Sequence, residues 1–126
     1  MWITREVDAP AERAWAVLVD LDRWPAWGPS VAEARLDDGS GGRRLTADSH
    51  GRVRPFVGPW IPFRVDAFDD GRSWSWRVAG VPATRHRVEP LGPDRCEVAF
   101  FVPVWALPYA VVCRVALRRI DGLLTT

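Results

Sequence analysis

The sequence predicts an α+β domain, on three observations. An amphipathic helix follows the first strand, a long run of alternating strands comes next, and one apolar helix closes the chain. The order is therefore strand, short helices, six strands and long helix. With 126 residues, the chain is long enough for one proper core and short for two.

Trp2 to Asp8 alternates as a half-buried strand does, with Ile3, Arg5 and Val7 on one side and Thr4 and Glu6 on the other. Pro10 suits the first turn of a helix, where its missing N–H costs nothing. Ala11, Ala14, Trp15, Leu18 and Val19 follow at helical spacing. Leu21-Asp22-Arg23-Trp24-Pro25-Ala26-Trp27 ends this region with at most one more helical turn. Two indoles around a proline are costly to expose, since each can bury roughly 150–250 Å². They predict an aromatic plug where the chain passes from helix to sheet.

Val31 to Leu36 reads as the second strand, Asp37 to Gly42 as a turn, and Arg43 to Arg54 as the third strand. Pro55, Gly58 and Pro59 stop or bulge that strand. Ile61–Phe68, Ser73–Ala79, Ala83–Pro90 and Arg95–Val102 follow as strands, separated by Asp69-Asp70-Gly71, by Gly80 with Pro82, and by Leu91-Gly92-Pro93-Asp94. Trp74, Trp76 and Val78 share one face, as do His86 with Val88, and Cys96 with Val98, Phe100 and Val102. The opposite face is largely charged, as in an antiparallel sheet with one solvated side. Leu107 to Leu124 reads as the closing helix, with Pro108 in its first turn. Tyr109, Val112, Cys113, Ala116, Leu117, Ile120, Leu123 and Leu124 form one broad apolar stripe able to cover the sheet.

Composition narrows the chemistry. A hydrophobic content of 48% with 26% charged residues is that of a globular chain. The net charge of +1 makes no strong field that calls for nucleic acid or for an anionic membrane. All seventeen basic side chains are arginine, so Schiff-base and phosphate-loop lysines are excluded. Cys96 and Cys113 stand apart in apolar surroundings with no secretory signal before the first strand, which predicts reduced packing cysteines in a cytoplasmic protein. The uncharged run from Val98 to Cys113 is broken by Pro103 and Pro108 and falls short of the ~20 residues of a membrane span, so no stable membrane insertion is expected. Two histidines and two scattered cysteines give no pair at zinc spacing. Ser40 lacks a G-x-S-x-G elbow, the Asp37-Asp38 turn lacks the closing glutamate of a calcium loop, and no dinucleotide fingerprint occurs.

Arg5-Glu6-Val7-Asp8-Ala9-Pro10-Ala11-Glu12, Trp15-Ala16-Val17-Leu18-Val19-Asp20, Asp22-Arg23-Trp24-Pro25-Ala26-Trp27, Phe63-Arg64-Val65-Asp66-Ala67-Phe68-Asp69, Ser73-Trp74-Ser75-Trp76 and His86 carry a family likeness. Through them the chain resembles the START-like (SRPBCC, helix-grip) superfamily, in its polyketide cyclase/dehydrase and lipid-transport branch. The resemblance covers nearly the whole chain. It implies a curved antiparallel sheet wrapped around a long C-terminal helix, with one or two short helices after the first strand. It also implies a cavity between sheet and helix that takes lipids, polyketides or other apolar molecules, and no organic or metal cofactor.

Candidate ligand contacts are the aromatic residues Trp24, Trp27, Trp60, Trp74, Trp76, Phe100, Trp105 and Tyr109, with Val112 and Ala116 on the helix stripe. The same rings, taken singly, read first as core, and only as a group as a ligand-binding wall. His86 is the candidate catalytic residue. It faces inward and titrates near neutrality, so it suits a hydrogen bond to a ligand carbonyl, proton transfer in a cyclisation and dehydration, or a core site satisfied by backbone. Tyr109 is the second polar candidate. Asp66 and Arg64 alternate outward, and His50 falls in a loop or at a strand edge. Three functions stay open: a binding protein for a small apolar ligand, a polyketide cyclase/dehydratase using His86, and a protein-interaction module built on exposed Phe68 and Phe101, with homodimerisation through the same patch.

Overall fold

A computed structural model describes every residue except Asp38, Ser40, Gly41 and Thr126. The expectations for Asp38 and Ser40 lie outside the described residues. Strand β1 (Trp2–Val7) leads to α1 (Ala11–Val19), a 3₁₀ turn (Leu21–Arg23) and α2 (Trp24–Trp27). Strands β2 (Glu33–Leu36), β3 (His50–Arg54), β4 (Ile61–Asp69), β5 (Ser73–Val78), β6 (Val81–Gly92) and β7 (Arg95–Phe101) follow, then a 3₁₀ segment (Val104–Tyr109) and α3 (Ala110–Thr125). The sheet runs β1-β7-β6-β5-β4-β3-β2 with every neighbour antiparallel. This is the helix-grip architecture: a sheet whose inner face is partly covered by the helices. No helix among the described residues is long and apolar enough to cross a membrane.

The aromatic plug is tied back to the helix before it. Trp24 Nε1 donates to the Leu18 carbonyl at 3.0 Å and Trp27 Nε1 to the Val17 carbonyl at 3.2 Å. Carbonyls in the last turn of a helix have no intrahelical donor, so the two indoles satisfy the end of α1 while filling the core. Asp20 caps the 3₁₀ turn by accepting from the Asp22 N–H at 3.0 Å.

Four features differ from the sequence reading, each for a local reason. The third strand begins at His50, not Arg43. The Arg43 carbonyl and the Leu45 N–H bond instead to Leu21 and Val19, and a turn at Thr46–Ser49 separates them from the sheet. A bulge between Val65 and Ala67 inserts one residue, so Phe68 turns inward and meets Trp15 edge-on at 5.7 Å. Strand β6 extends across Pro82 to the two-residue turn Ala79-Gly80, both at positive φ. The closing helix starts at Ala110, because after an extended Pro103 the Val104–Tyr109 segment winds as 3₁₀ with a kink at Ala106. Tyr109 therefore sits before the α-helix rather than on its stripe.

The long helix covers only part of the concave face. It packs on β1, β7, α1 and α2, burying Cys113, Ala116, Leu117, Ile120 and Leu124. The inner faces of β3, β4 and the near ends of β5 and β6 extend beyond it.

Gly51 holds the β2–β3 edge together, because a Cβ there would lie 1.9 Å from the Arg35 carbonyl oxygen. Gly51→Ala is expected to lower stability by about 1–3 kcal/mol, the usual range for overpacking. Gly122→Ala, where a Cβ meets nothing within 4 Å, is expected to raise it by up to ~1 kcal/mol. Urea unfolding of both variants checks the pair.

Candidate functional site

The inner part of the grip is filled by a stack of rings. Trp24 lies parallel to Trp74 at 5.6 Å, and Trp74 lies on His86 at 3.8 Å. Trp27, Trp76 and Phe100 close the stack edge-on around His86 at 6.3, 6.1 and 4.9 Å. What remains among these rings, with Val112 and Ala116 as helix wall, is a space of about 40 Å³. That has room for about one water, not for a ligand.

The hydrogen bonds of His86 follow from its partners. The Trp74 carbonyl, 3.3 Å from Nδ1, can only accept, so Nδ1 carries the proton. Nε2 is then the acceptor, and the Thr84 hydroxyl donates to it at 3.1 Å. Thr84 Oγ1 in turn accepts from Trp76 Nε1 at 3.1 Å. Both imidazole nitrogens are engaged. Burial pushes the His86 pKa down to about 3, with the Trp74 carbonyl opposing the shift. The ring is neutral at physiological pH.

An open cavity of about 320 Å³ lies at the other end of the concave face, where α3 does not reach. Val53 of β3, Ile61 of β4, Val78 of β5 and Ala83 of β6 supply one wall, and Val31, Trp105 and Ala106 supply the other. Trp76, Thr84 and Tyr109 border both this cavity and the small inner space. The hydroxyls of Ser30, Thr84 and Tyr109 lie around the opening, with the indoles of Trp76 and Trp105. Ser30 and Tyr109 share a hydrogen bond of 2.7 Å that joins the α2–β2 loop to the 3₁₀ segment. Desolvation of the Tyr109 oxygen raises its pKa, the Ser30 bond opposing it.

Of the residues singled out in the sequence, Trp76, Trp105 and Tyr109 line the open cavity. Trp24, Trp27, Trp74, His86, Phe100, Val112 and Ala116 come together around the small inner space instead. Trp60 belongs to neither. It precedes β4 by one residue and falls on the outer face, with the Arg35 and Arg54 guanidinium groups 5.0 and 5.8 Å from its ring. Phe101 is also on the outer face but half-buried, edge-on to Trp2 at 5.3 Å. His50 begins β3 and its Nδ1 lies 2.7 Å from Asp37. Thr84 was accessible to sequence reasoning, since it stands two residues before His86 on the same strand face. Ser30 carried no such signal, because only the folded loop brings it to Tyr109. Cys113 borders the small inner space, and burial raises the pKa of Cys96 and pushes that of Cys113 up to about 11.

A family profile described as polyketide cyclase / dehydrase and lipid transport matches residues 3–124. The fold is similar to that of a START superfamily protein from Mycobacterium smegmatis, with a TM-score of 0.76 at 17% identity over 98% of this chain and 95% of that one. An aromatase/cyclase from a Streptomyces species aligns with a TM-score of 0.70 at 16% identity, over 98% and 92% of the two chains. An uncharacterised protein from Bacillus thuringiensis gives 0.75 at 16% identity, over 100% and 98%. A search of curated proteins returns no match.

His86 gives a pH signature with a fixed sign. Its pKa is about 3 folded against 6.5 for the free side chain. Between those values the unfolded chain binds the extra proton, so the contribution is fully present above pH 6.5 and is lost as pH falls towards 3. The slope approaches about 1.4 kcal/mol per pH unit in that window. Urea midpoints across the window are expected to fall less steeply for His86→Phe than for the natural chain, whatever the variant's stability at neutral pH.

Proposed function

This chain belongs to the polyketide cyclase / dehydrase and lipid transport family, and we propose that it holds a small apolar or aromatic ligand in the cavity of about 320 Å³ beyond the reach of α3. That cavity is the observation that carries the reading. Its volume falls at the lower end of the ~300–1,000 Å³ common for ligand sites. Its walls are aliphatic and aromatic, and the polar groups of its lining side chains are uncharged: three hydroxyls and the indole N–H groups of Trp76 and Trp105. Such a lining favours a lipid-like or polyketide-like molecule over an ionic one. Each ~200 Å² of ligand surface removed from water contributes about 5 kcal/mol, before the cost of association. Thr84 at the floor and Ser30 with Tyr109 at the rim would orient the ligand through one or two hydrogen bonds.

A cyclase or dehydratase that uses His86 for proton transfer has less support. The imidazole lines the inner space, both its nitrogens are bonded within the protein, and its lowered pKa makes it a weak base. An interaction module built on Phe68 and Phe101 loses one of its two anchors, since the β4 bulge turns Phe68 against Trp15.

The neutral dye N-phenylnaphthylamine tests the binding reading. Saturable fluorescence enhancement is expected, and Ala83→Trp or Val78→Trp, which fill the cavity, should weaken it by about tenfold or more, equivalent to ~1.4 kcal/mol. Tyr109→Phe, which keeps the ring and drops the Ser30 bond, should leave dye affinity within about threefold, a change of under ~1 kcal/mol. Absence of saturable binding, or binding untouched by both tryptophan variants, would refute the proposal.

A further inference from the structure

The rim of the open cavity carries apolar side chains that the fold leaves in water. Trp105 and Pro55 both line the cavity, so the Val104–Tyr109 segment and the loop between β3 and β4 each contribute to its wall. Just beyond the lining, Val57 is 91% exposed, Val104 79%, and Phe56 and Val111 66% each; Trp105 is itself 63% exposed. Single exposed apolar residues are ordinary, but a cluster drawn from separate segments marks an interaction surface.

Charge supplies a second, independent observation. Helix α3 begins at this rim, and Arg114, Arg118 and Arg119 are exposed along it. Residues three and four apart share a helix face, so Val111, Arg114 and Arg118 run from the apolar rim into a basic stripe, flanked by Arg119. Among the described residues, no carboxylate pairs with these three arginines, and Asp121 of the same helix is taken by Arg5 at 2.7 Å. Arginines four apart weaken a helix by repulsion. The three guanidinium groups are therefore available to an anionic partner.

We propose that this end of the molecule docks on an anionic lipid surface. Phe56, Val57, Val104 and Trp105 would enter the boundary between headgroups and acyl chains, where tryptophan is favoured. Arg114, Arg118 and Arg119 would meet lipid phosphates. The net charge of +1 gives no long-range pull, so recognition rests on this local array. Docking places the cavity mouth against the bilayer, so an apolar ligand passes between membrane and cavity without crossing water; only this consequence rests on the binding reading.

Flotation with vesicles of equal parts phosphatidylcholine and phosphatidylglycerol tests the proposal. The full chain is expected to float with them, to float far less with phosphatidylcholine alone, and to be released in about 1 M salt, where the screening length is about 3 Å. The triple variant Phe56→Ser, Val57→Ser, Val104→Ser and the double variant Arg114→Glu, Arg118→Glu should each cut partitioning by about tenfold. Dye binding should persist in both, because none of these residues lines the cavity. Absence of flotation on the anionic vesicles, or flotation unchanged in both variants, overturns the proposal. A lipid-independent dimer that the triple variant dissociates in sedimentation equilibrium also overturns it, by assigning the rim to a second copy of the chain. Loss of dye binding with flotation intact would refute the ligand reading and leave docking supported.

Discussion

The stacking of Trp24, Trp74 and His86 determines what the rest of the molecule can do. Their centroid separations of 5.6 and 3.8 Å leave no slack between α2 and the sheet. Large flat rings cannot shift to admit a guest as flexible side chains can. Phe100 and Trp27 complete the packing from the sides, and α3 seals it with Ala116 and Cys113. A closing helix that sits over β1 and β7 leaves the opposite end of the concave face uncovered. The open cavity is thus the complement of the aromatic core: one end of the grip is packed with rings and the other is open.

That division also sets the available chemistry. The groups able to move a proton at neutral pH lie away from the open cavity or are tied up. His86 is neutral and bonded at both nitrogens, and the two thiols are held in their protonated forms by burial. Among the described residues, what lines the open space is uncharged: the hydroxyls of Ser30, Thr84 and Tyr109 and the indoles of Trp76 and Trp105. The Thr84 proton is committed to His86, so Thr84 can only accept from a ligand. The Ser30–Tyr109 pair keeps one hydroxyl proton to donate to a carbonyl or an alcohol. Binding specificity in such a site comes mainly from shape.

Most of the fold was legible because strand alternation and helical spacing are local properties. Trp74, Trp76, His86, Val88, Val98 and Phe100 point inward as their spacing dictates, and the plug at Trp24-Pro25-Ala26-Trp27 forms where the indoles required it. The misreadings mark where local rules stop. A one-residue bulge reversed the side of Phe68, and a single position before β4 put Trp60 among arginines on the outer face. Proline at position 108 read as a helix start, yet two prolines five residues apart wind the chain as 3₁₀ first. The site was half legible for a different reason. Sequence identifies which residues face inward, but where α3 comes to rest on the sheet depends on packing across the whole molecule. That placement decides which inward residues become core, such as Phe100, and which become cavity wall, such as Val78.

The division into a filled and an open end is tested most directly by locating a bound molecule atom by atom. Isotope-edited NOEs between N-phenylnaphthylamine and the methyl-labelled chain should connect the dye to Val31, Val53, Ile61 and Val78, which wall the open cavity. NOEs confined to Val112, Ala116 and Ile120, beneath the helix and beside the ring stack, would contradict the account by showing that the aromatic core yields to a ligand.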